Sequence, residues 1–148
     1  MASTHLSLHY HLVFSVKDRR RLIVPEWSAR LHAWLGGATR ELGGIPECVG
    51  GVEDHVHLLV GLRATHCLAD VLREIKAASS AWVHEEIGVK SFWWQEGYGA
   101  FTVSASQIGR VKNYILRQAE HHQGRTFQDE YRGMLEKHGI KYDEKYLW

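Results

Sequence analysis

Two histidines flank one bulky apolar residue in Asp54-His55-Val56-His57-Leu58-Leu59-Val60, at the start of a run that reads as a buried strand. Along a strand, side chains two residues apart share a face at roughly 6.6 Å, so both imidazoles can reach one ion. The spacing is that of a metal pair. With 11 histidines among 148 residues, such pairs also arise by chance, and His9-Tyr10-His11, with His5 on the same face, is a rival of the same form. Only the first pair continues into Leu-Leu-Val. A second chemical feature lies far downstream, where Tyr114 and Gln118 stand four residues apart in a helical pattern, one above the other on a single face. A phenol and an amide oxygen are thus presented together, with Arg110, Arg117 and His121 in the same polar stripe. Taken alone, Tyr114 reads as a boundary residue with a wet hydroxyl; its company makes it notable.

These side chains need elements to hold them. From His5 to Val16, His5, Ser7, His9 and His11 alternate with Leu6, Leu8, Tyr10, Leu12, Phe14 and Val16, which predicts a half-buried strand over 5–16. Pro25 suits a helix start, and Trp27, Leu31, Trp34, Leu35, Ala38 and Leu42 recur at helical steps until Gly43-Gly44. Residues 45–51 and 52–62 read as two strands with Gly50-Gly51 as the bend or hairpin connection, which puts the histidine pair on a central strand. A second helix runs from Leu68 through Ile75 and Val83 to Gly88. The aromatic, glycine-punctuated stretch 91–104 reads as a strand, a turn and another strand, with Trp93 and Trp94 as core residues or a stacking platform. Ser104 and Gln107 have capping-box spacing and open a third helix to about His122, whose stripe of Ile108, Val111, Ile115 and Ala119 must face the sheet. A short helix from about Phe127 to Lys137 follows, and the aromatic end at 142–148 is expected to dock on a surface. Strand, helix, strand, strand, helix, strand, helix predicts an α+β fold. It is a ferredoxin-like βαββαβ antiparallel sheet with helices on one face plus a C-terminal helix.

Length and 45% hydrophobic residues suit one domain, 1–148, with 126–148 as an extension packed on it. The net charge of +1 gives no global basic field, so a polyanionic partner must be held by local clusters such as Lys17-Asp18-Arg19-Arg20-Arg21. Cys48 and Cys67 offer neither a disulfide framework nor a zinc ribbon, which points to a reducing, cytoplasmic setting. The first residues lack a basic stretch followed by an apolar one, and no apolar run approaches ~18 residues, so neither secretion by a standard signal nor a membrane span is expected.

Five blocks occur in a telling order: Tyr10-His11-Leu12-Val13-Phe14, Gly51 to Val60, Ile75-Lys76-Ala77-Ala78-Ser79-Ser80, Trp94-Gln95-Glu96-Gly97-Tyr98, and Val111-Lys112-Asn113-Tyr114-Ile115-Leu116-Arg117-Gln118. Over nearly the whole chain they resemble the small single-tyrosine transposases of the HUH (histidine, hydrophobic, histidine) nuclease superfamily. These are the insertion-sequence and repeat-associated tyrosine transposases. Ala77-Ala78 departs from relatives that often have Gly or a larger residue there, which leaves the histidines untouched. The resemblance implies that His55, His57 and Gln118 bind a divalent metal and that Tyr114 is the nucleophile. It further implies a transposase and single-strand endonuclease that cleaves and rejoins DNA through a 5′-phosphotyrosine, on single-stranded DNA with a hairpin near the cleavage site. Nitrogen and oxygen donors without thiolate fit Mg²⁺ or Mn²⁺. One tyrosine per chain suggests a homodimer, with the tyrosine helix acting on its own or its partner's histidines. Arg19, Arg20, Arg21, Lys76, Arg110, Lys112 and Arg117 are then the candidate DNA contacts. A domesticated, non-mobile relative that binds hairpin DNA without productive transposition is the alternative; intact His55, His57, Tyr114 and Gln118 argue against it.

Overall fold

The structure is a computed structural model that describes residues 2–122 and 124–148. Strand β3 (His55–Gly61) is buried along its whole length. It lies inside an antiparallel sheet of order β2-β3-β1-β4, formed with β1 (His9–Ser15), β2 (Ile45–Val52) and β4 (Gly99–Val103). This is the strand order of the expected ferredoxin-like fold. Alternation along the strands sends Val56, Leu58 and Val60 to one face together with Leu12, Phe14 and Val16. There they meet Leu31 and Leu35 of α1 (Pro25–Glu41) and Val71, Leu72 and Ile75 of α2 (Leu68–Trp82). Each such fully buried side chain contributes roughly 1.5–3 kcal/mol, so this apolar face carries most of the stability.

The opposite face takes α3 (Ile108–Leu116), α4 (Gln118–His121) and α5 (Phe127–Lys137). Leu59 packs on Ile115 of α3, while Val13 and Phe101 pack on Phe127, Tyr131 and Leu135 of α5. Helices therefore cover both faces, which is why even the polar positions of β3 are shielded from water.

Several local readings change. The first strand begins at His9 rather than His5. Gly50 and Gly51 lie inside β2, and the hairpin turns at Glu53-Asp54 instead, where Val52 pairs with His55. Gly50 is there for clearance: a Cβ on it would sit 2.8 Å from the Ile115 carbonyl oxygen, so its absence lets α3 approach the sheet. In the aromatic stretch only the single bridge Val16–Trp94 forms before β4. Trp94 is core, edge-on to Phe14 at 4.7 Å between ring centres, and Trp93 is 54% exposed. The capping box does not form; Ser104 Oγ meets Ser106 Oγ at 3.1 Å, and a 3-10 turn over Ala105–Gln107 leads into α3. The third helix breaks at Arg117, which separates α3 from α4. After α2 the chain makes one π turn, Val83–Ile87, closed by Gly88 in the left-handed region at φ 85°. At the C-terminus Trp148 lies 6.3 Å from the Phe127 and Tyr131 rings, with the guanidiniums of Arg19 and Arg132 over it. Among the described residues no helix is long and apolar enough to cross a membrane.

Candidate active site

The alternation that buries Val56 and Leu58 against α1 and α2 turns His55 and His57 toward α3, α4 and α5. Each imidazole is anchored at its far nitrogen. His55 Nδ1 lies 2.7 Å from Asp54 Oδ1 and His57 Nδ1 lies 2.8 Å from His11 Nε2, so both Nε2 atoms are aimed away from the sheet. The two rings are 5.0 Å apart, and their free nitrogens find partners on other elements. His55 Nε2 is 3.0 Å from Gln118 Oε1, and His57 Nε2 is 3.0 Å from Glu130 Oε1. The rival pair separates: His9 Nδ1 turns to Glu47 Oε2 at 3.2 Å, while His11 backs His57.

Glu130 of α5 sits at the centre of the cluster and is 1% exposed. Its Oε1 is 3.4 Å from His55 Nε2 as well, and its Oε2 accepts from the Tyr114 hydroxyl at 2.6 Å and from His122 Nε2 at 3.1 Å. His122 Nε2 is also 3.2 Å from Gln118 Oε1. One nitrogen or oxygen each from His55, His122 and Glu130 falls within 4.8 Å of the others, a grouping that can hold a metal ion. The Gln118 Nε2 beside them is buried without a hydrogen-bond partner among the described residues, which marks the pocket as built for more than its own side chains.

A buried carboxylate is costly unless its charge is met. Burial pushes the Glu130 carboxyl up, but hydrogen bonds from His122, His55 and His57 outweigh it and hold the group ionised, well below the usual carboxylate range. Burial likewise lowers His55, yet Asp54 and Glu130 overcome it and lift the imidazole to about 9. His57 goes the other way, to about 4, because burial and the neighbouring His55 charge prevail over Glu130. Neutral His57 must therefore carry its hydrogen on Nε2, facing the acceptor-only carboxylate, and its Nδ1 accepts from His11 Nε2. Burial and the Glu130 charge raise the Tyr114 phenol above its ordinary value, so it is protonated at neutral pH and points its proton at the carboxylate. The Tyr114 ring is 5.8 Å from His57 and packs at 4.6 Å against His121.

Residues 4–118 match the family description "Transposase IS200 like". The chain belongs to the IS200-like transposase family. The ISDra2 transposase TnpA of Deinococcus radiodurans is 27% identical over 117 residues, covering 75% of this chain and 84% of that protein. The transposase for insertion sequence element IS200 of Salmonella typhimurium is 26% identical over 133 residues, covering 81% of this chain and 82% of its own length. Two solved structures share the fold. A Deinococcus radiodurans protein crystallised as a candidate transposase superposes with a TM-score of 0.63 at 23% identity, covering 80% of this chain and 96% of that one. A REP-associated tyrosine transposase bound to a REP hairpin gives 0.60 at 15% identity, covering 83% and 75%.

In this IS200-like transposase the structure brings together His55, His57, Tyr114 and Gln118, all within the matched segment. His122 and Glu130 lie beyond it and escaped sequence reasoning. A signal for Glu130 was present: Phe127, Glu130, Tyr131 and Leu135 share helical spacing, so an acid stands in an apolar stripe, the position where burial demands a partner. The basic residues are scattered. Arg19 and Arg20 follow β1, Arg20 reaching Ser91 O at 3.4 Å, and Arg21 is exposed beside them. Lys76 donates to the carbonyls of Gln95, Glu96 and Gly97, and Arg117 pairs with Glu120 at 2.7 Å. Arg110 and Lys112 are exposed on α3.

Proposed function

We propose that this chain cleaves and rejoins single-stranded DNA through a 5′-phosphotyrosine on Tyr114, with a divalent metal at His55, His57 and Gln118. The observation that carries the reading is the convergence on one carboxylate: Tyr114 Oη at 2.6 Å from Glu130 Oε2 and His57 Nε2 at 3.0 Å from Oε1. A nucleophile and the histidine pair thus meet within one chain, which supports a tyrosine helix acting on its own histidines.

Tyr114 supplies the attacking oxygen. As Oη bonds to phosphorus, the bond to the 3′-oxygen breaks. Glu130 orients the phenol through its hydrogen bond, and the phenolic proton is lost to water, because a carboxylate held so far below its usual range does not keep it. The 3′-oxygen leaves and takes a proton from water, giving a 3′-hydroxyl. Because the phosphotyrosine conserves the phosphodiester bond, a 3′-hydroxyl from another strand can reverse the step and join without ATP. Gln118 Oε1 and the two imidazole Nε2 atoms, once these give up the hydrogens they carry in the metal-free protein, would hold the ion, with Glu130 and His122 as nearby donors. A hard oxygen from Glu130 moves the preference further toward Mg²⁺ or Mn²⁺. When bound, the ion would neutralise charge on the scissile phosphate. One tyrosine per chain handles one end, so cutting two ends calls for two copies, and we infer a homodimer. The hairpin in the REP-associated relative's structure supports a hairpin beside the cleavage site here.

The test is a covalent adduct. Incubated with labelled single-stranded hairpin DNA from its own element's ends and Mg²⁺ or Mn²⁺, the protein should form a denaturation-resistant species that vanishes in Tyr114→Phe. An adduct that persists in Tyr114→Phe assigns the nucleophile elsewhere.

A further inference from the structure

A cleft of about 640 Å³ runs between β4, α3 and α5 and ends at the candidate site, with Tyr114, Glu130 and His11 at its inner end. One wall is α3 with Arg110 and Val111; the other is α5 with Gly133, Met134, Lys137 and His138; Arg125 lies over it from the segment before α5. Its floor is the edge strand β4 of the sheet, through Phe101 and Val103.

Three exposed cations, Arg110, Arg125 and Lys137, share the lining of this one cleft. Arg73 pairs with Asp70, Arg117 with Glu120 and Arg132 with Glu144, so each of those cations has a carboxylate of its own. Among the described residues Arg110, Arg125 and Lys137 have none, although all three are exposed on the rim of one cleft. The single acid in that lining is Glu130, already engaged by Tyr114 and three histidines. In a chain of net charge +1, this is a local concentration of uncompensated positive charge leading to a nucleophile.

Gly133 is the second observation. Glycine inside a helix costs about 1 kcal/mol relative to alanine, and α5 carries one in its middle. A Cβ at that position would lie 2.6 Å from Arg125 Nη2, so the guanidinium lies across the helix where the side chain is missing. Arg125 Nη2 also donates to Asp129 O at 3.2 Å, which steadies it over α5.

We propose that this cleft is the track for the single-stranded DNA next to the scissile phosphate, its backbone held by Arg110, Arg125 and Lys137 and Arg125 seated by Gly133. The proposal rests on the function given above and names where its substrate lies. An unpaired strand can thread a narrow cleft and present one phosphate to Tyr114 Oη. A duplex is stiff and does not readily bend one phosphate in to Tyr114. Met134 on the α5 wall, half-buried, offers apolar surface to an unstacked base or sugar, and nothing in the lining prescribes a base sequence.

The experiment is fluorescence anisotropy of a labelled single-stranded oligothymidylate, and of a duplex of equal length, titrated with protein in EDTA over a range of salt. For single strands the slope of log affinity against log salt is about −0.7 per neutralised phosphate. Arg125→Gln and Lys137→Gln should each weaken binding several-fold and flatten the slope by roughly 0.7, while Arg73→Gln on the far face leaves both unchanged. Gly133→Ala shifts the flexible tip of Arg125 while helix propensity predicts equal or higher thermal stability, so it should weaken binding less than Arg125→Gln does. Wild-type affinity and slope in all three cleft variants would overturn the track, as would equal affinity for the duplex. Adduct formation at Tyr114 is scored separately. Adduct with unaffected binding in the variants sinks only the track, and weakened binding in the variants with no adduct in the wild type sinks only the chemistry.

Discussion

His55 and His57 sit on a strand buried from end to end, inside the segment shared with IS200-like transposases; Glu130 and His122 come from outside that segment, on and just before the terminal helix α5. The two halves of the site are held by different forces. On the strand side the register fixes everything: Val13 and Gly50 flank His57, the opposite face is locked into the main core, and Asp54 and His11 set the ring orientations. On the helix side a few aromatic contacts, Phe127 and Tyr131 against Val13 and Phe101, hold α5 in place, and Thr126 caps it by accepting from the Asp129 amide. The strand half supplies the histidine positions and the helix half supplies the carboxylate on which they converge.

Replacing residues in each half tests that division. His57→Ala should abolish both the adduct and any Mn²⁺-induced rise in melting temperature, since it removes a donor from the rigid half. A variant that still shows the rise would move the metal elsewhere. Glu130→Gln keeps the shape and removes the charge. It should leave the fold intact but weaken Mn²⁺ binding, read by calorimetry, by about tenfold or more. Unchanged affinity would reduce α5 to a cover over a site complete without it.

The pH response of the metal-free protein separates the two halves further. His55 keeps its proton to about 9 in the fold but only to about 6.5 when unfolded, so its contribution is full below pH 6.5 and lost as pH rises through 9. His57 is neutral down to about 4 when folded, whereas the unfolded chain takes up a proton from 6.5 downward, so stability also falls on the acid side. Urea denaturation in EDTA should therefore peak near pH 6.5, with a fall of up to about 3 kcal/mol between pH 6.5 and 9 that His55→Gln removes. A flat alkaline limb would mean that Glu130 and Asp54 do not charge His55. The smallest effect is expected at Gly50→Ala, where the Cβ meets Ile115 of α3 and should cost about 1–3 kcal/mol in thermal or urea melts. Stability unchanged there would show that α3 can back away from the sheet without loss.

Much of the strand half was legible in the sequence. Period two along residues 9–15, the buried run at 55–61 and the helical stripes in α1 and α2 are local patterns, and the fold honours them; Tyr114 and Gln118 still meet at the site, though on two short helices. What resisted reading depends on distant neighbours. Gly50 looked like a bend because glycine usually punctuates; here its missing side chain answers to Ile115, 65 positions along the chain. The break at Arg117 carries no Gly or Pro to announce it, and it turns Gln118 inward to His55. Ser104 and Gln107 had the right spacing, but a 3-10 turn takes the place of the first helical turn and leaves the cap unused. Glu130 is 73 residues from His57, and no spacing rule joins a terminal helix to a strand that far away.

Burial of β3 on both faces also sets a clock. Amides at His55 to Val60 are exchangeable only when the central sheet opens, which for such a strand approaches global unfolding, whereas an end helix resting on one aromatic cluster opens sub-globally and far more often. The histidines are thus the part of the site expected to exchange last, and α5 with its carboxylate the part expected to exchange first.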